Sequence, residues 1–537
     1  MTSIPYPRWA VTLGAVVLVG PAMAVGPAAA DNDRRTAAVV RTDQGVVRGA
    51  VAADHLSFQG IPYASPPLGA LRWAPPQPGP TWTGVRDATR PGAACAQLKG
   101  LPMDAPSESE DCLYLNVTTP RSSARTPRPV MLWLHGGDFR FGSGDGYGGQ
   151  RLAAGGDVIV VMANYRLGAL GFLAHPALAG RNGIIGNFGL QDQQAALRWV
   201  RRNAAAFGGD PGNVTLFGQS AGATSVCAQL AAPGSAGLFH RAIMQSNSCA
   251  NPVQTRAEAI GAAEELARRI GCTDPAVVAT CLRGRTPARL IEAVGYPGAG
   301  VDLGPVVDGH TLPVAPAEAL TTGRLHRVPV LTGMNRDESR LAVWGMERVG
   351  FNCPEPPGPD QEPESCPLTD DQYRDQVRAM FGDHAEEVLA RYPRDPAHPA
   401  SATLGAVLTD HDYAEPVYTA ALAFARRVPT FAYEFADEDA PFFTEGPEPT
   451  FATGAYHCAE LPYLFTVDYA EALTPTQRRL SDEMVRTWSD FARTGRAGWP
   501  RLRSDTPYVR VFAGGGGSGT TDFAAAHSYD FWLSLRR

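Results

Sequence analysis

Six short runs in this chain are apolar at successive positions with almost no polar interruption: residues 130–134, 158–163, 214–217, 242–245, 328–333 and 430–435. A strand with one wet face alternates, whereas a run apolar at every position is covered on both faces. Longer stretches between them, notably 190–207 and 258–270, return apolar side chains at helical spacing and predict helices. Strands alternating with helices predict an α/β architecture, a mostly parallel sheet with helices on both faces. Residues 39–50 alternate around a glycine turn and predict a hairpin. The glycines at 514–517 predict a surface turn between edge strands, and the proline-rich stretch 58–78 predicts a surface segment. No repeat or linker divides the chain after Ala30, so residues 31–537 are expected to form one domain. Its extra length over a minimal sheet is expected in insertions after the strands, as a lid or gorge wall.

Composition narrows this little. Of 537 residues 44% are hydrophobic and 19% charged, which is ordinary for a large globular core. A formal charge of -7 gives no reason to expect a nucleic acid or an anionic membrane as partner. Residues 1–30 change the picture more. Arg8 is their only charge, an apolar run covers 10–20, and Ala28-Ala29-Ala30 offers small side chains for cleavage. That pattern predicts a secretory signal peptide and a secreted, extracellular protein. The apolar run is short for a membrane span and prolines follow it, so no membrane anchor is expected.

Nine cysteines in an exported chain should mostly pair, with at least one left over. Cys353 and Cys366 sit close together in a proline-rich segment and are expected to pair. Cys227, Cys249 and Cys458 have no local partner; Cys249 with Cys458 is one pairing, leaving Cys227 as a buried thiol.

The candidate chemistry centres on Gly218-Gln219-Ser220-Ala221-Gly222, between the run 214–217 and an alanine-rich helical stretch. A serine between two glycines at a strand-to-helix junction sits on a strained turn that exposes its oxygen and aims helix amides at whatever it attacks. A serine hydroxyl needs a base, and the base an orienting carboxylate, in the order serine, acid, histidine on such folds. Asp337 and Glu338 follow the strand at 328–333, at the end where ligands of parallel sheets gather. Five histidines come later: His384, His398, His411, His457 and His527. Spacing does not choose among them, although His457 lies in a small-residue loop and His411 has a carboxylate on each side. Leu134-His135-Gly136-Gly137-Asp138 has the form of an oxyanion loop, and Ala221 follows the nucleophile. No metal-ligand cluster appears and no cofactor is called for.

Together these motifs resemble the type-B carboxylesterase and cholinesterase family of α/β-hydrolases. The resemblance includes Phe58-Gln59-Gly60-Ile61-Pro62-Tyr63-Ala64, Leu71-Arg72-Trp73, Glu110-Asp111-Cys112-Leu113-Tyr114-Leu115-Asn116-Val117, Asn164-Tyr165-Arg166-Leu167-Gly168 and Phe207-Gly208-Gly209-Asp210-Pro211. It implies an α/β-hydrolase fold and a serine esterase acting on a small-molecule ester. Ser220 would be the nucleophile, Glu338 the acid and His457 the base, with the amides of Gly137, Asp138 and Ala221 holding the oxyanion. It also implies disulfides Cys95–Cys112 and Cys272–Cys281. Lipases, carbamate or amide hydrolases and non-catalytic adhesion proteins share the fold; the last typically lack a triad member.

Three departures from the family pattern matter. Residues 96–111 hold no aromatic side chain, so the tryptophan that binds choline in cholinesterases has no counterpart there. Gln219 stands where the family usually has Glu. Counted ungapped from Ser246 and back from Pro305, the aromatic acyl-pocket positions fall on Val253, Ala299 and Val301, which predicts a wider pocket tolerating acyl chains beyond acetyl. Asp138 is expected to turn its carboxylate away from the oxyanion and onto its own loop.

Overall fold

The computed structural model describes residues 38–102, 104–180, 183–296, 300–348, 366–446 and 448–536. The leader at 1–30 and the partners Ala299 and Cys353 of earlier expectations lie outside these residues.

Thirteen strands form one sheet. In chain order they are β1 (Ala38–Arg41), β2 (Val46–Val51), β3 (His55–Pro62), β4 (Val85–Asp87), β5 (Tyr114–Pro120), β6 (Arg128–Leu134) and β7 (Ile159–Ala163). They continue as β8 (Gly209–Gln219), β9 (Arg241–Gln245), β10 (Val330–Asn335), β11 (Thr430–Phe435), β12 (Val509–Phe512) and β13 (Gly519–Thr521). The spatial order is β1-β2-β3-β5-β7-β6-β8-β9-β10-β11-β12-β13, with β4 beside β2. From β7 to β12 every ladder is parallel; the flanks β1-β2-β3-β5-β7 and β12-β13 are antiparallel.

The apolar runs explain why this sheet is buried twice. All seven residues of β6 are buried. Val130, Leu132 and Leu134 join one core, while Met131 and Trp133 join the other, because alternate side chains leave opposite faces. Leu216 and Phe217 on β8 divide in the same way. The helix Phe188–Asn203 contributes Leu190, Leu197 and Val200 to the first core, and the helix Pro475–Thr494 contributes Leu480, Met484 and Trp488 to the second. Each face of the sheet is therefore covered.

Two local expectations change. Residues 58–62 are not surface: Phe58 and Ile61 are fully buried on β3, which pairs with β5 across a register shift between those two residues. The prolines that suggested a surface segment lie mostly beyond the strand end. The strand expected at 214–217 starts earlier, at Gly209, which lies opposite Arg128, with a register shift before Val130 meets Val214. The glycine run at 514–517 does connect two strands, β12 and the edge strand β13.

Disulfides join Cys95 to Cys112 and Cys272 to Cys281. Another joins Cys227 to Cys249, which corrects both the free Cys227 and the Cys249–Cys458 pairing. The sheet explains the correction. Cys227, on the helix that returns over β8 and β9, and Cys249, just past β9, share one core, whereas Cys458 belongs to the core on the opposite face. Cys458 is a buried free thiol.

Two of the sequence motifs brace the loops around the site. Arg72 pairs with Glu110 in a forked contact, Nε to Oε2 at 2.7 Å. Arg166 holds the buried Asp192 carboxylate through two 2.8 Å bonds, and its own amide donates to the same group at 3.1 Å. A buried charge survives only with such saturation.

Candidate active site

β6 lies between β7 and β8, so the chain leaves it in one direction and returns in the other. The crevice at the carboxyl ends of β6 and β8 is the switch point of the sheet, where ligands of such folds bind. Four loops converge there: residues 135–142 after β6, Ser220 after β8, Asp337–Glu338 after β10, and the loop carrying His457, which follows β11.

Ser220 has φ 57 and ψ -124, a conformation costly for any residue with a Cβ. Its surroundings hold it there. A Cβ on Gly218 would come within 2.6 Å of the Gly222 backbone, and one on Gly222 within 2.0 Å of the Leu134 carbonyl. Only glycine at both positions lets strand, helix and β6 approach this closely. The Ser220 amide donates to the Gln245 carbonyl on β9 at 2.9 Å, fixing the turn to the sheet.

The loop after β6 turns sharply through Gly137, Asp138 and Phe139, all at positive φ. The amides of Gly137, Asp138 and Ala221 donate to no group among the described residues. Gly136 backs onto this point, where a Cβ would lie 3.1 Å from the Ser220 Cβ. Three donors without a partner among the described residues, close to the Ser220 turn, match what a developing oxyanion needs. Asp138 turns its carboxylate onto the loop, accepting Arg140 Nε at 3.0 Å. Its side chain is 54% exposed, so water reaches it. Crowding by protein nevertheless raises its pKa, against Arg140 and with help from the Asp302 carboxylate. His135, of the same loop, donates Nδ1–H to the Gly136 carbonyl at 2.9 Å and stacks on Tyr165. Burial pushes its pKa down to about 4, so it stays neutral.

Glu338 and His457 come together across 119 positions of sequence. Glu338 Oε2 lies 2.6 Å from His457 Nδ1, and Oε1 accepts the Asn335 amide at 2.8 Å. Burial disfavours an imidazolium at His457, but the Glu338 charge and hydrogen bond, with Glu460 behind, outweigh it and raise the pKa. Asp337, the other carboxylate of the pair, braces the histidine loop instead: Oδ2 accepts the Ala455 amide at 3.0 Å, and Arg340 covers it.

The other histidines separate cleanly. His411 pairs with its neighbour Asp412 and packs its ring on Phe381 and Trp532. His384 and His398 make surface pairs with Glu387 and Asp395. His527 is buried between Asp410 and Glu434, 2.6 Å from each. Val301 is buried in the core and Val253 half-buried against it.

Several further residues surround His457. Glu460 is buried, accepting from Gln245 Nε2 at 2.9 Å and Asn335 Nδ2 at 2.7 Å. Trp488 in turn donates to Gln245 Oε1 at 3.0 Å. The Tyr413 ring lies 5.4 Å from the His457 ring, on the π-type turn Asp410–Ala414. Gln219 Nε2 lies 3.1 Å from His457 Nε2. Of these, only Gln219, inside the serine motif, was marked in sequence.

Comparison with known proteins adds a frame. The model of the carboxylesterase family matches residues 36–516. Fumonisin B1 esterase of Sphingopyxis macrogoltabida is 34% identical over 520 residues, 92% of this chain and 88% of that protein. Cocaine esterase of Homo sapiens is 35% identical over 488 residues, covering 87% and 85%. Para-nitrobenzyl esterase of Bacillus subtilis is 34% identical over 491 residues, covering 87% and 93%. A solved structure of PNB esterase superposes with a TM-score of 0.73 at 31% identity, over 92% of this chain and 99% of that one.

Proposed function

We propose, since this chain belongs to the carboxylesterase family and is a carboxylic-ester hydrolase, that it works through an acyl-enzyme on Ser220 with His457 and Glu338 as its partners. Ser220 Oγ attacks the ester carbonyl as its proton passes to His457 Nε2. Glu338 orients the imidazole and stabilises its charged form. The amides of Gly137, Asp138 and Ala221 receive the oxyanion. His457 then gives the proton to the departing alcohol, and water resolves the acyl-enzyme by the same route. The observation that carries this reading is the 2.6 Å contact of His457 Nδ1 with Glu338 Oε2 at the switch point where the Ser220 turn also lies. Ser220 Oγ has no hydrogen bond among the described residues, and such bonds commonly close only on the bound substrate.

Export belongs to the same reading. The disulfides among the described residues need an oxidising compartment, and residues 1–30 have the form of a cleavable leader.

The test is a p-nitrophenyl ester series on the purified protein, with a fluorophosphonate label mapped by peptide sequencing. Stoichiometric label on Ser220 with loss of turnover is the expected result; label elsewhere, or turnover that survives labelling, overturns it. Without aromatic side chains at 253 and 301, butyryl and hexanoyl esters should match or exceed acetyl esters in kcat/KM. A strong acetyl preference would contradict the wide acyl pocket.

The pH profile follows from the base. Only neutral His457 accepts the serine proton, and its pKa is raised. The acid limb of kcat/KM should therefore have its midpoint above the ordinary histidine value of about 6.5. A midpoint at or below about 6 would place another group in the role.

A further inference from the structure

We propose that Gln219 is a positioning residue for His457, its amide N–H meeting Nε2 of the neutral base and its carbonyl, turned over, meeting Nε2–H of the imidazolium. The proposal rests on the reading of His457 as the base.

Gln219 closes β8 and is 1% exposed. Its amide is wedged between two loops of the site. Nε2 lies 3.1 Å from His457 Nε2 and 3.5 Å from Cys458 Sγ. On its other side, a Cβ on Gly136 would come within 3.0 Å of Gln219 Oε1. A carboxylate only accepts, so the proton of the neutral imidazole sits on Nδ1, facing Glu338. Nε2 then presents a lone pair, and the Gln219 N–H is the donor that meets it.

The charge around this nitrogen is one-sided. Glu338 faces the imidazole from the segment after β10, and Glu460 from the histidine loop itself. The Cys458 thiol and the Tyr413 phenol are the other ionisable neighbours, with Asp412 and Asp138 beyond Tyr413. The basic groups on the flanking loops are engaged elsewhere, Arg140 by Asp138 and Arg340 by Asp337. The charges that act on the imidazole, Glu338 and then Glu460, thus both favour its protonated, inactive form. A carboxylate at 219 would add an acceptor directly at Nε2 and hold that proton. An amide of the same shape carries no charge and offers a donor to the neutral form. When the serine hydroxyl approaches, it takes the place of the amide N–H at Nε2. The Oγ–H bond breaks, the Nε2–H bond forms, and the amide carbonyl is the acceptor at hand.

The experiment follows the His457 imidazole by NMR in the histidine-labelled whole protein, assigned through a His457→Gln variant, beside the pH profile of kcat/KM. Gln219→Glu should raise the imidazole midpoint by about 1 unit or more, and move the acid limb with it, so that turnover below the limb falls about tenfold. A midpoint within about 0.3 unit of wild type overturns the proposal. Gln219→Met, which keeps the shape and removes both partners, should leave the midpoint within about half a unit while kcat falls about tenfold at unchanged KM. Unchanged kcat in that variant, or a loss carried by KM alone, also overturns it. The NMR midpoint does not need turnover. A wild-type protein without esterase activity would therefore strike the acyl-enzyme reading, and the titration would still decide the role of Gln219.

Discussion

Ser220→Ala should lower kcat on a p-nitrophenyl ester by about a millionfold while leaving the unfolding midpoint within about 1 °C of wild type. The two halves of this expectation have separate causes. The chemical loss is large because, in the proposed mechanism, Oγ is the atom that bonds to the acyl group; its removal would leave only water beside the proposed oxyanion amides. Those amides of Gly137, Asp138 and Ala221 remain in place, so a residual rate of about 10³ to 10⁴ over the uncatalysed reaction should persist. The structural loss is small because the strained turn does not depend on the hydroxyl. The Ser220 amide still donates to Gln245, and Gly218 and Gly222 still admit the tight crossing under Leu134. Alanine pays the same positive φ that serine does. His457→Ala should cost nearly as much, and the double variant little more than either, because residues acting as a unit are not additive. A Ser220→Ala enzyme retaining about a hundredth of wild-type turnover would require a different nucleophile.

The parts legible in sequence were those governed by short-range rules. Mostly apolar runs located β6, β7, β9, β10 and β11 to within two residues and the second half of β8, since two-sided burial admits few polar positions. The turn at Ser220 and the loop at Gly136-Gly137 were visible because glycines are demanded by close backbone approach. What remained hidden depends on which face of the sheet a residue meets. Cys227, Cys249 and Cys458 are equivalent in sequence, and only the two cores assign the first two to each other. Gln219 sits inside the most conspicuous motif of the chain, yet its contact with His457 needs two loops 238 positions apart to meet. His527 was one of five histidines with nothing local to mark it. Its two carboxylates come from a strand and a turn more than 90 residues away.

That last cluster yields the largest expected effect on stability. His527→Leu should destabilise the protein by several kcal/mol near neutral pH and by much less at alkaline pH. Both imidazole nitrogens lie 2.6 Å from carboxylate oxygens, Nδ1 against Asp410 and Nε2 against Glu434. Two acceptors require two donors, so the buried ring is an imidazolium. Burial alone would lower its pKa, but the hydrogen bonds and charges of Asp410 and Glu434 outweigh that and raise it from 6.5 to about 9. Because the folded value lies above the unfolded one, the stabilisation is complete below about pH 6.5 and is lost as pH rises through about 9. A shift of that size corresponds to roughly 3 kcal/mol. Leucine would leave the two carboxylates without their shared cation, although Asp410 keeps the Tyr392 hydroxyl at 2.7 Å and Glu434 keeps Arg336 at 3.3 Å. Loss of one partner from a buried ion pair costs about 3 to 5 kcal/mol, and these residual contacts place the variant toward the lower end. Urea unfolding of wild type and variant at pH 6.5 and pH 10 separates charge from packing. A gap of about 3 kcal/mol at the lower pH should shrink to within about 1 kcal/mol at the higher. A gap that stays constant across this range would mean that His527 serves as a filler of space, with the proton on the cluster immaterial to the fold.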